Sequence, residues 1–352
     1  MTCLNVVHQE LGPQDWQLIA QSAVLGNVKT LEMNIHSTEG FHIVRESQQL
    51  VNLVEIKLSA VCDHGTNQFL ATVDLTNVRN PITVDSLQGM QHTTPLQQTL
   101  TEILIIPSLF PDLFRGNRRP YGGILLFGPS GCGKTTLVES FLTHCTAAVI
   151  SMNATCLNRF KANSERIMRS LFDMARQFEA SVMVMDEMDA VACDSDSTEH
   201  RRVVTELMIQ IDNACRGVND TDSRMKQFTL IGISSHPDRI HSAVRRRLEK
   251  RIYMELPDFP TRISFFKRLF IEKQHEFSIH LSDEDVELIA QSTQNYSFQD
   301  MEQLVKQTLQ NLSCNNKSVT LQNFTQVISQ FQPCNTSAQL EVITGWKVVF
   351  SD

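Results

Sequence analysis

The sequence predicts an α/β protein: a parallel sheet flanked by helices, followed by a small all-helical domain and preceded by a short N-terminal region. Three observations carry this expectation. From about residue 82, apolar runs of strand length alternate with amphipathic helical patterns, the signature of a parallel α/β sheet. The run Gly123-Ile124-Leu125-Leu126-Phe127 leads into a glycine-rich loop and then a helical pattern with Leu137, Phe141 and Leu142 on one face. After Leu256-Pro257 the strand patterns stop and only helical ones follow.

Residues 1–81 are the least legible. Val51, Leu53, Ala71, Val73 and Leu75 suggest short alternating strands, and Asp15 to Ala20 suggest the start of a helix. Residues 1–80 hold four Lys and Arg against eight Asp and Glu, a net of −4. They read as a small partner-binding domain or an extension.

Residues 82–257 form the expected α/β domain, with strands at 123–127, 147–151, 181–186, 228–233 and 250–254. Between two of these, Ser164 is placed to cap a helix carrying Ile167, Met168, Leu171, Phe172 and Ala175 on one face. Residues 258–352 form the helical domain. Its first helix, 261–273, presents Ile263, Phe266, Leu269 and Phe270. The second, 283–292, follows a Ser282…Asp285 capping box; the third starts at Ser297 with Asp300 three residues on; the fourth starts near Thr320.

The loop at 128–135 reads Gly-Pro-Ser-Gly-Cys-Gly-Lys-Thr and fills every fixed place of G-x-x-x-x-G-K-[ST]. Glycines let the backbone fold back and aim N–H groups at phosphate oxygens. The helix that follows turns its positive end toward the anion. The candidate nucleotide-binding set is therefore Gly128, Pro129, Ser130, Gly131, Cys132, Gly133, Lys134, Thr135 and Thr136. Lys134 supplies charge between the outer phosphates and Thr135 a hydroxyl to Mg²⁺. Cys132 reads as a small filler. About fifty residues on, the apolar run Val182-Met183-Val184-Met185 ends in Asp186-Glu187. A strand-end carboxylate such as Asp186 suits Mg²⁺, partly through water, and the next, Glu187, suits polarising an attacking water. Asp189 reads as structural.

Composition bounds the rest. Apolar residues make up 41% and charged residues 20% of the 352, the balance of a globular chain. No apolar run approaches the roughly 18 residues that span a bilayer. The N-terminus shows no basic-then-apolar leader. Nine cysteines include no C-x-x-C pair, so neither a zinc ribbon nor a disulfide framework is expected, and a cytoplasmic chain is. A net charge of −8 argues against general nucleic-acid binding.

The segment Arg245-Arg246-Arg247-Leu248-Glu249-Lys250-Arg251-Ile252-Tyr253-Met254-Glu255-Leu256-Pro257 resembles the R-R-R-[FL]-E-[KR]-R-I-Y-x-x-L-P stretch of the meiotic clade of AAA ATPases, which includes katanin, spastin and fidgetin. Gly345-Trp346-Lys347-Val348-Val349-Phe350 resembles that clade's final helix. The short link between the third and fourth helices, and Val319-Thr320-Leu321-Gln322-Asn323-Phe324, are similar to the katanin catalytic subunit. The resemblance covers about residues 82–352. It implies an ATP- and Mg²⁺-dependent ATPase that assembles as a hexamer and remodels proteins. In katanin-like form it implies severing of microtubules, cytoskeletal association and a regulatory subunit.

Residue by residue, the resemblance implies that Arg246 and Arg247 are arginine fingers reaching the neighbouring subunit's nucleotide. It places Ser235 where the family has a sensor Asn, with shorter reach and one donor fewer. It places Arg159-Phe160-Lys161-Ala162 at the central-pore loop, with Phe160 as the aromatic that grips a threaded chain and Arg159 and Lys161 favouring an acidic one. From residue pattern alone, an ordinary loop with a buried Phe is the alternative. His200, Arg201 and Arg202 fall at a second pore loop or an interface. Leu87-Gln88-Gly89 resembles the segment that cups adenine, with Gly89 a candidate contact, and Ser297-Phe298-Gln299 falls near the ribose. Two functional readings stay open: an ATP-driven protein remodeller, and a nucleotide-gated regulatory subunit with weak or no hydrolysis. The acidic 1–80 segment lacks the basic linker expected of a severing enzyme.

Overall fold

A computed structural model describes strand residues 3–5, 30–34, 55–61 and 67–74, and then 95–110, 113–114, 120–145, 147–160, 163–193, 197–216, 227–275, 277–279, 281–311 and 318–349. The chain divides into two compact units: Met1–Leu126 with Leu137–Ile252, and Phe127–Thr136 with Tyr253–Asp352.

The first unit is built on a mixed sheet. Its strands are β1 (Cys3–Asn5), β2 (Thr30–Asn34), β3 (Glu55–Val61), β4 (Asn67–Asp74), β5 (Gly123–Phe127), β6 (Ala148–Asn153), β7 (Ala180–Asp186), β8 (Gln227–Ser234) and β9 (Lys250–Tyr253). Their order is β1-β2-β3-β4-β6-β7-β8-β5-β9. The pairs β6–β7 and β7–β8 are parallel, with Val149 opposite Val182 and Val184 opposite Ile231. β5 is buried along its whole length, and β7 from Ser181 to Met185. Continuous apolar runs belong in such strands because helices cover both faces of a parallel sheet. Each fully buried Leu, Ile or Met there contributes about 1.5–3 kcal/mol.

The N-terminal strands continue this sheet. β3 and β4 form an antiparallel pair, and β4 lies antiparallel to β6 with Val73 opposite Ile150. In β3, buried Ile56 and Leu58 alternate with half-buried Glu55 and Lys57, the period-two pattern of a strand. The sheet is thus mixed with mostly parallel strands, and the β4–β6 ladder joins the N-terminal strands to the expected α/β sheet. Of the residues expected in N-terminal strands, Ala71 and Val73 lie in β4. Val51, Leu53, Leu75 and the Asp15–Ala20 helix lie outside the described residues.

Helices follow in chain order. A helical stretch runs through α1 (Pro95–Leu100), a π turn at Thr101–Ile105 and α2 (Ile106–Leu109). Then come α3 (Lys134–Leu142), α4 (Ser164–Ala175), α5 (Asp189–Ala192), α6 (Thr198–Arg216) and α7 (Ser242–Arg247). The expected apolar face of α4 is buried. Its expected cap differs: Ser164 is the first helical residue, and its hydroxyl donates to the Leu157 carbonyl at 2.6 Å instead of capping. α4 and α6 are joined by Arg169, which donates from Nε and Nη2 to the two Glu206 oxygens, each at 2.9 Å. The Arg169 hydrogen bonds hold the Glu206 carboxyl below its usual range.

The second unit holds α8 (Phe259–Lys273), α9 (Asp283–Ser292), α10 (Phe298–Gln310), α11 (Leu321–Ile328) and α12 (Ser337–Val349), with a short parallel pair β10 (Ser278–Ile279) and β11 (Ser318–Val319). Phe266, Phe270, Ile289, Leu304 and Phe324 centre its core. Both expected capping boxes are present, at Ser282–Asp285 and Ser297–Asp300. Buried Arg262 donates to the carbonyls of Ala290 and Pro257, each at 3.0 Å, and ties α8 to α9.

Candidate functional site

The phosphate loop lies in the second unit. It leaves β5 at Phe127, whose carbonyl accepts from Met254 N–H at 2.8 Å and whose ring centroid lies 5.4 Å from that of Tyr253. A Cβ on Gly128 would collide with the Met254 carbonyl, so only glycine permits this approach. Gly131 has φ 74° and Gly133 φ 88°. A Cβ on Gly131 would also stand 2.6 Å from Ser297 Oγ. The loop is therefore a backbone shape that L side chains disfavour. Lys134 is 6% exposed, and its ammonium donates to the Gly128 and Pro129 carbonyls at 3.0 and 2.8 Å. A buried positive charge is thus curled inside a loop of anion-binding shape. Cys132 is fully buried. Burial pushes its thiol up, more than Lys134 draws it down. It stays a protonated filler.

The carboxylates lie in the first unit, where β7 and β8 run parallel and end side by side. Glu187 is exposed with φ 52°, a left-handed conformation that a non-glycine residue keeps only when its surroundings fix it. Here they do. Glu187 N–H donates to Asp186 Oδ1 at 2.8 Å, and the next N–H, of Met188, donates to the Ile233 carbonyl of β8 at 2.9 Å. Met188 is buried, with its thioether over Gly232. Glu187 is thereby turned outward at the carboxyl edge of the sheet. Ser235 is half-buried just beyond β8. Its neighbour Ser234 donates to Asp189 Oδ1 and accepts from His236 N–H at 2.9 Å. Asp189 thus ties the two strand ends together.

The three arginines of α7 differ. Arg245 donates to the Pro237 carbonyl at 2.9 Å. Arg247 grips Asp212 of α6 with Nε and Nη2 at 2.7 and 2.9 Å, and reaches the Ala243 carbonyl at 3.0 Å. Arg246 is exposed. One of the two expected fingers therefore points outward, and the other is held within its own chain.

The expected pore loop, 159–162, is described at Arg159 and Phe160. Arg159 is exposed at the end of a 3-10 turn, Ala154–Arg159. Phe160, expected as a gripping aromatic, is instead 0% exposed. Its N–H donates to the Leu157 carbonyl and its carbonyl accepts from Asn163 N–H, so the turn folds the ring inward. Lys161 lies outside the described residues, as does Gly89 of the expected adenine segment. His200 is half-buried, its ring near the Cys193 thiol and carbonyl, while Arg201 and Arg202 are exposed. Phe298 packs its ring 4.8 Å from that of Phe265 and lies beside Gly133.

Each of the two expected Mg²⁺ ligands, Thr135 in the second unit and Asp186 in the first, carries an oxygen donor of the kind a hard cation takes. Among the described residues, no cluster of three or more His, Cys, Asp or Glu side chains makes a self-contained metal site. Sequence reasoning missed Asp212 and Asn335, which lie in no motif and are distant in the chain from their partners Arg247 and Ser130.

Residues 124–256 match the model of the ATPase family associated with various cellular activities. They form an AAA domain. The chain is 36% identical over 228 residues to spastin of Naegleria gruberi, covering 64% of this chain and 42% of that protein. It is 32% identical over 287 residues to the katanin p60 ATPase-containing subunit A1 of Arabidopsis thaliana, covering 74% and 53%. The matches thus span about half the length of these relatives, or less. The AAA domain of FIGL-1, solved in complex with ADP, superposes with a TM-score of 0.63 at 25% identity, covering 80% of this chain and 93% of that one. The resemblance expected from Arg245–Pro257 is thereby shown, and the AAA fold with it. No helix among the described residues is long and apolar enough to cross a membrane.

Proposed function

We propose that this chain binds and hydrolyses ATP as a subunit of an AAA assembly and uses the cycle to remodel a protein substrate. The observation that carries the reading is the loop at 128–135: backbone of left-handed glycines closing on a buried lysine. Lys134 and the loop N–H groups bind and orient the phosphates. Thr135 and Asp186 would hold Mg²⁺, which neutralises phosphate charge when bound. Exposed Glu187 orients and polarises the attacking water. Arg246 of an adjacent copy meets the transferring phosphoryl group, while Arg247 fixes α7 through Asp212. A hexamer and a tubulin substrate are the finer form of this reading. They rest on likeness to spastin and katanin alone.

The deciding experiment compares wild type and Glu187→Gln for nucleotide binding, phosphate release and severing of labelled microtubules. The expected result is retained ATP binding with phosphate release reduced about 10²–10⁴-fold. Specific activity of the wild type should rise with protein concentration if Arg246 acts between copies. Unchanged release in Glu187→Gln would overturn the mechanism; absent severing with normal ATPase activity would remove tubulin only. A second reading, a nucleotide-gated regulatory subunit, is favoured by the burial of Phe160. It predicts nucleotide-loaded protein with negligible turnover.

A further inference from the structure

The outer turn of the phosphate loop is held by a residue no motif assigns. Asn335 is 6% exposed and lies in the segment between α11 and α12. Its Oδ1 accepts from Ser130 N–H at 3.0 Å, and its Nδ2 donates to the Ser130 carbonyl at 2.9 Å. One side chain thus satisfies both backbone groups of a loop residue 205 positions away. The next residue of the loop is held as well: the Gly131 carbonyl accepts from Gln299 N–H at 3.3 Å.

Asn335 is itself fixed. Cys334 N–H donates to Asp300 Oδ1 at 2.9 Å, and Asp300 is fully buried, its other oxygen accepting from Ser297 N–H and Oγ at 2.9 and 2.7 Å. On the other side, Thr336 N–H donates to Gln339 Oε1 at 3.0 Å at the start of α12. The far end of α12 is tied to Tyr253 and Glu255. Lys347 pairs with Glu255, and its ammonium lies 5.3 Å from the ring centroid of Tyr253, which packs on Phe127. The segment leading into the final helix therefore meets the loop's outer turn through Asn335, and the helix itself reaches, through Lys347, the Tyr253 ring that packs on Phe127 at the loop's entry.

We infer that Asn335 is a positioning residue of the nucleotide site: it holds Ser130 so that the loop is preformed for phosphate, and it links nucleotide affinity to the docking of α12. The bond takes up only the donor and acceptor of Ser130 at the loop's outer turn. Removing it lets the loop relax, and binding must then restore the loop's shape. By linkage, nucleotide should in turn stabilise the docked helix. This inference rests on the ATP-site reading above.

The test uses the full chain and a fluorescent ADP. Asn335→Ala should raise the Kd for ADP about 3- to 10-fold. The KM for ATP should rise by a similar factor, with kcat at saturating ATP within about two-fold of wild type. Ser130→Pro deletes the N–H that Asn335 receives. It should weaken binding in the wild-type background and far less in the Asn335→Ala background, because the bond is already gone. An unchanged Kd in Asn335→Ala with a lowered Tm would make Asn335 merely structural and overturn the inference. Additive costs of the two substitutions would do the same. Should Asn335→Ala fail to fold, an unchanged Kd in Ser130→Pro alone overturns it. A wild type that binds no nucleotide would instead sink the ATP-site reading itself.

Discussion

Two loops that leave the carboxyl ends of β5 and β6 make an instructive pair. The loop at 128–135 keeps its chemistry in the backbone. Left-handed glycines, a carbonyl approach only glycine permits, and a lysine curled inward define it. At 159–162 the resemblance gives the grip to one aromatic side chain, Phe160, flanked by Arg159 and Lys161, and that aromatic is buried. A site written in backbone geometry constrains several residue types at once. A site that depends on which way one ring points constrains almost nothing the sequence can display.

The largest test of this contrast is Phe160→Ala. A fully buried ring implies a loss of about 3–5 kcal/mol of stability, visible as a lower urea midpoint. An unchanged midpoint with lost substrate-stimulated turnover would restore the exposed, gripping role. Next comes Lys134→Ala, which should weaken ATP binding about 10- to 100-fold through loss of charge-assisted hydrogen bonds, measured by titration with fluorescent nucleotide. Full affinity there would mean that the glycine backbone alone suffices. Gly131→Ala should cost about 1–2 kcal/mol from its left-handed φ, with an added clash at Ser297, read by thermal melting.

The smallest effect concerns the loop's support. Burial raises the Asp300 carboxyl, but hydrogen bonds from Cys334 and Ser297 outweigh it and hold the group below its usual range. Its stabilisation is present above the unfolded value of about 4 and is lost as pH falls through the lower folded value. Wild type should therefore lose stability more steeply than Asp300→Asn below about pH 4 in acid unfolding. Parallel curves would show that this carboxylate contributes no pH-linked stability.

The same contrast explains what the sequence could and could not display. β7 and β8 were legible because a strand covered on both faces must be continuously apolar. The boxes at Ser282 and Ser297 were legible because partner and cap lie three residues apart. The grip of Arg247 on Asp212, which separates it from Arg246, was not legible. Nothing in Arg245-Arg246-Arg247 says which guanidinium turns inward. The Asn335–Ser130 bond and the β4–β6 ladder are long-range pairings without local signal, and Phe160 depended on how one turn closes.

The β4–β6 ladder bears on how the protein is handled at the bench. A fragment trimmed to the AAA match would lose β4 and leave the β6 backbone from Val149 to Met152 as a bare edge. Exposed N–H and C=O rows of an apolar strand are templates for pairing with other chains. Such a fragment should precipitate or form soluble aggregates where the longer chain stays dispersed. Fragments for biochemical work should therefore keep β3 and β4, and poor behaviour of a trimmed AAA fragment would reflect an uncovered sheet edge rather than an unstable fold.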